Sequence, residues 1–193
     1  MGIKAARGPA GGEEAVGIAY SAMTPGPESI FRSEEGGSAP GARIREPIPI
    51  YSVDLQILCE KGVESLSEAR RTGWRYVIEH DSGLEVVDLP DEGDRAPELL
   101  AGGEVGENLA KSGRKAARIA DGAVDYEPRI LDLNLIGNSV LWLHSSKRPS
   151  KDRFISLANN PSELKPDALI KRIRNSAERK LSAMAGAGDE GGG

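Results

Sequence analysis

The sequence predicts an α+β domain with a largely antiparallel sheet of about five to six strands and helices packed on one face. Three stretches carry that expectation. Residues 74–80 and 84–89 are β-rich runs around Asp81-Ser82-Gly83, and a short loop ending in glycine between such runs signals a hairpin. Residues 126–143, YEPRILDLNLIGNSVLWL, hold the densest apolar run and one of the two tryptophans. They read as a buried strand, a turn near Gly137-Asn138 and a second buried strand. Residues 104–120 and 165–184 place apolar side chains at helical spacing, which supplies covers for the sheet.

Residues 1–45 are rich in Gly, Ala, Pro, Ser and Glu. That composition buries too little apolar surface to offset an ordering cost of roughly 1–2 kcal/mol per residue, so a disordered arm is expected. Its apolar clusters, residues 15–20 and 29–31, are the parts able to dock on the body or on a partner. One folded domain is expected over residues 46–184. Residues 48–53 alternate prolines with β-formers, which suits an edge strand or an extended entry segment. Asp54 or Ser52 is placed to cap a short helix through Leu55, Leu58 and Cys59. Val63, Leu66 and Ala69 continue at helical spacing toward Gly73.

Along the first hairpin Trp74, Tyr76 and Ile78 share one face, and Arg75, Val77 and Glu79 the other. Residues 90–103 read as an acidic loop. In the helix that follows, Val105, Leu109, Ala116 and Ile119 mark the buried stripe, and Lys111, Arg114, Lys115 and Arg118 the wet side. Further on, Ile130, Asp132 and Asn134 face one way, while Leu131, Leu133 and Leu135 face the other. Residues 154–157 add a strand. The last helix has Pro166 in its first turn and a stripe of Leu169, Ile170, Ile173, Ala177 and Leu181. Residues 185–193 form a glycine-rich tail.

Composition narrows the function. Aromatic residues are 4% of the chain, so Leu, Ile and Val must build most of the core. A formal charge of −5 opposes covering the whole surface with a polyanion, yet it permits local basic patches. The single cysteine, Cys59, excludes an internal disulfide and a cysteine-rich zinc module. Glycine and glutamate interrupt the N-terminal apolar residues, and Ala6 stands where a myristoylation motif has Ser or Thr. No run approaches the ~20 apolar residues that cross a bilayer. A soluble, cytoplasmic chain without membrane contact is expected.

Catalytic signatures are sparse. His80 and His144 sit near strand ends and could share a metal or acid–base site only if their strands were neighbours. Cys59 could act as a nucleophile with either histidine, but it ends an apolar run and reads as a small core residue. Asp125, Glu127 and Asp132 surround Arg129 at the central strand. Glu127 and Arg129 share a strand face, so a plain ion pair explains them better than acid–base chemistry. The glycines at 102, 103 and 106 lack the register of a dinucleotide loop. No cofactor and no metal are expected.

The one sizeable basic region lies in the turn and last helix: Lys147, Arg148 and Lys151, then Lys171, Arg172, Arg174 and Arg179. A solvated helix face accounts for much of it, and phosphates or an acidic partner could also use it. The expected role is a non-catalytic protein-interaction or regulatory module, self-associating through an exposed sheet edge. Nucleic-acid binding through the basic turn and last helix is the alternative. An enzyme using His80 and His144 or the Asp125–Asp132 acids is the third reading, and it needs at least two of these groups in one pocket.

Overall fold

The computed structural model describes residues 2–23, 43–91, 97–100, 103–133 and 138–187. The strands are β1 (Arg43–Ile44), β2 (Ile48–Ser52), β3 (Arg70–His80), β4 (Gly83–Pro90), β5 (Glu98–Leu100), β6 (Glu127–Leu133), β7 (Asn138–His144), β8 (Arg153–Ser156) and β9 (Glu163–Leu164). The helices are α1 (Gly12–Met23), α2 (Leu55–Lys61), α3 (Gly103–Ile119) and α4 (Pro166–Ala187). A 3-10 helix, Gly62–Glu68, follows α2, and a shorter one, Pro149–Lys151, lies between β7 and β8.

All nine strands join one sheet in the order β5-β4-β3-β2-β6-β7-β8-β9, with β1 also paired to β3. The strand number exceeds the five or six expected because β1, β5 and β9 have only two or three residues each. Such strands are defined by a partner and carry no readable alternation of their own. Every pairing is antiparallel except β2 with β6. That seam joins two halves of like order: β2, β3, β4, β5 and α3, then β6, β7, β8, β9 and α4.

The expectation that residues 48–53 form an edge strand is overturned: β2 lies in the middle of the sheet. Its ladder to β6 involves only Ile50 and Tyr51, past Pro49, so the missing N–H falls outside that ladder. The true edges, β5 and β9, are very short, and short edges are poor templates for adding another strand.

Helices cover both faces of the sheet, a second correction. On β7, Val140 and Trp142 pack with Leu169, Ile170 and Ile173 of α4, while the alternate residues Leu141 and Leu143 pack with Ala116 of α3. Period two along the strand therefore sends α3 and α4 to opposite faces. A two-fold axis along the strands would produce that arrangement from the two halves. Asp54 accepts the backbone N–H of Gln56 (2.8 Å) and Ile57 (3.0 Å), which starts α2 as its sequence position implied. Gly106 lets α3 close on β4, since a Cβ there would stand 2.7 Å from the Leu84 carbonyl oxygen.

The N-terminal residues differ most from expectation. Residues 2–4 enter the sheet: Lys4 N–H donates to Tyr126 O (2.8 Å) and Tyr126 N–H to Gly2 O (3.0 Å). Helix α1 then buries Val16 and Tyr20 against Trp74, Tyr76, Ile78 and Val87. Burial of two such side chains contributes about 1.5–3 kcal/mol each, the packing gain that composition alone does not reveal. Gly12 is part of the fit, because a Cβ there would overlap the Tyr76 hydroxyl. Residues 29–31 lie outside the described residues, as do residues 134–137, on which part of the turn expected near Gly137-Asn138 falls.

Candidate functional site

The basic region divides into two parts, one in the β7–β8 turn and one along α4. Lys147, Arg148 and Lys151 are exposed in the turn between β7 and β8. Register Phe154↔Leu164 returns the chain beside the start of β8, so α4 begins at the same end as that turn. Along α4, Ala168, Lys171, Arg172, Asn175, Ser176 and Arg179 line a hollow of about 520 Å³. At roughly 100° per residue this stripe lies almost opposite the buried Leu169, Ile170 and Ile173. Arg174 falls outside it, near the margin of the buried stripe. The hollow thus joins Lys171, Arg172 and Arg179 among the expected site residues, while the three turn cations border a different pocket of chemistry.

That second place is built on Asp152. Its carboxylate accepts the Trp142 indole N–H at 2.8 Å, the Ser145 backbone N–H at 2.8 Å and His144 Nδ1 at 3.0 Å. The Asp152 side chain is only 9% exposed and that of His144 16%. The imidazole also stands edge-on to Trp142, with ring centroids 4.9 Å apart. On the neighbouring strand Glu127 lies directly opposite His144 and is paired with Arg129 at 2.6 Å. Arg129 in turn stacks over Tyr51 (4.4 Å) and Trp142 (5.0 Å). The same-face ion pair read from the sequence is present. Asp152 was missed, although a polar turn between two strands places residues eight apart side by side.

A third polar group lies on the α3 face of the sheet. Arg75, 6% exposed, makes a bidentate pair with Asp88 at 2.7 and 2.6 Å. Asp132 accepts the Ser139 hydroxyl at 2.8 Å. Burial pushes the Asp132 carboxyl above its ordinary value, more than the Ser139 bond and the Arg75 charge pull it down.

The sets proposed for catalysis do not converge. Strands β2 and β6 separate β3 from β7, so three strand steps of roughly 4.8 Å alone hold His80 and His144 at least about 14 Å apart. Asp125 pairs with Lys4 of the N-terminal segment, Glu127 with Arg129, and Asp132 faces the other side of the sheet. Cys59 lies on α2, and its side chain is outside what the structure describes. Among the described residues no group of three or more His, Cys, Asp or Glu could hold a metal ion, and no helix is long and apolar enough to cross a membrane. No protein-family profile, no curated protein and no solved structure matches the chain.

Proposed function

We propose that this chain is a protein-interaction module that docks an acidic segment of a partner on the cationic side of α4. The shallow, open hollow lined by Lys171, Arg172, Asn175, Ser176 and Arg179 carries this reading, since it sets cations and neutral donors side by side along one helix. Carboxylates of an extended acidic segment fit such a surface. Among the described residues the lining holds no aromatic side chain, so it offers no stacking platform of the kind single-stranded nucleic acid uses. The net charge of −5 further favours a short acidic segment over a long polyanion, whose field the rest of the surface opposes.

The test is fluorescence anisotropy with a labelled glutamate-rich peptide and, in parallel, a labelled DNA duplex. Saturable peptide binding that weakens with salt, and is lowered about tenfold by Lys171→Glu with Arg179→Glu, is the expected result. Absence of peptide binding at low salt overturns the reading. Tighter binding of the duplex than of the peptide replaces it with nucleic-acid recognition.

A further inference from the structure

We propose that Nε2 of His144 is a phosphoryl-accepting nucleophile, which makes this residue a modification site. The argument begins with Asp152, more than nine-tenths buried and accepting three hydrogen bonds. Three donors thus converge on one carboxylate and fix its place beside the His144 ring. Nδ1 of His144 faces that acceptor at 3.0 Å, and in the tautomer that donates Nδ1–H to it the ring's lone pair resides on Nε2. That nitrogen has no partner among the described residues, and the side chain keeps 16% exposure. The contact with Trp142 at 4.9 Å holds the ring in this orientation.

His80 provides the contrast inside the same molecule. Its Nδ1 meets the Ser82 hydroxyl at 2.8 Å, and its Nε2 is buried without a hydrogen bond, 3.8 Å from Glu85. Of the two histidines in the chain, His144 alone offers an oriented and reachable lone pair. Charge then selects the electrophile. Lys147, Arg148 and Lys151 are exposed in the turn that directly follows His144, and Arg129 lies over the Trp142 ring. A phosphoryl dianion would enter a cationic surrounding, whereas a divalent metal would meet like charges. Glu127, the one acid opposite His144, is already paired with Arg129.

In the step itself, neutral Nε2 attacks the phosphorus of a phosphoramidate-class donor. The N–P bond to His144 forms as the donor P–N bond breaks. The donor reacts as its zwitterion, whose nitrogen already carries three protons, so that nitrogen keeps the bonding pair and leaves as ammonia. Nδ1–H stays on Asp152, whose carboxylate offsets the positive charge left on the ring. This inference depends on His144 and Asp152 and stands apart from docking at α4.

The experiment incubates the full chain with phosphoramidate near neutral pH and maps acid-labile phosphate by phosphorus NMR and peptide mass spectrometry. The expected result is one phosphoryl group on His144, with His80 modified at least about tenfold more slowly. Asp152→Asn, checked for folding by near-ultraviolet circular dichroism, should slow His144 by a similar factor. Equal rates at the two histidines of the wild-type chain overturn the proposal, as does absence of label on His144. An unchanged rate in folded Asp152→Asn overturns it as well. The wild-type ratio needs no variant, so a misfolded Asp152→Asn leaves the test intact.

Discussion

Each half of the sheet carries one tryptophan on its second strand, and each indole donates to an aspartate: the first just past the end of β4, the second in the turn before β8. Trp74 on β3 reaches Asp91 at 3.0 Å, and Trp142 on β7 reaches Asp152 at 2.8 Å. Each ring also lies beneath an arginine, Arg71 at 4.7 Å and Arg129 at 5.0 Å. The difference lies in what else the carboxylate holds. Asp91 pairs with Arg71 at 2.6 Å, a permanent cation, and both side chains reach solvent. Asp152 holds a backbone N–H and one nitrogen of an imidazole, and leaves the other nitrogen free to react. One half closes the device with a fixed charge; the other ends it in a titratable ring. A shared way of anchoring tryptophan therefore serves shape in the first half and can serve chemistry in the second.

The halves also differ in their ion pairs, and the largest expected effect comes from there. Asp88→Ala leaves Arg75 buried without its bidentate partner, which should cost about 3–5 kcal/mol in urea unfolding. Next, Asp152→Ala removes the acceptor of three donors in a nearly buried place and should cost about 3 kcal/mol. Asp91→Ala should cost less, about 1–2 kcal/mol, because Arg71 can return to water and only the Trp74 indole loses its acceptor. Equal losses at Asp91 and Asp152 would break the comparison between the halves.

A smaller effect depends on pH. The folded Asp132 carboxyl keeps its proton above the ordinary value of 3.8, chiefly through burial. Its contribution to stability is complete below that value and is lost as pH rises through the folded value. Asp132→Asn should therefore gain stability relative to wild type as pH is raised from about 4 toward neutrality. Urea midpoints of the two proteins across that range check the sign, and a difference independent of pH would contradict it. The smallest change is expected for Glu127→Gln at the more exposed pair with Arg129, about 0.5 kcal/mol.

Much of this fold was legible where local patterns and tertiary pairing agree. Asp81-Ser82-Gly83 between alternating runs located the β3–β4 hairpin, and the faces of Trp74, Tyr76 and Ile78 follow from period two. The stripe of Leu169, Ile170 and Ile173 located the buried side of α4. The central place of β2 was hidden because Pro49 argues locally for an edge, while the pairing that decides lies some 80 residues away at Ile130. Helix α1 was hidden because its glycine-rich surroundings outweighed Val16 and Tyr20, which are core residues only once Tyr76 is beside them. In the site, the α4 cations were readable as a basic run. The Asp152–His144 contact was not, since a turn's width decides whether two polar residues meet.

The most direct test of the central claim exploits the two equivalent helices. Both α3 and α4 display cations to solvent, but the hollow belongs to α4. Binding of the glutamate-rich peptide is to be compared for Arg114→Glu with Arg118→Glu on α3 and Lys171→Glu with Arg179→Glu on α4. The account predicts near wild-type affinity for the α3 pair and about a tenfold loss for the α4 pair. Equal losses would reduce the interaction to overall charge and contradict a docking surface on α4.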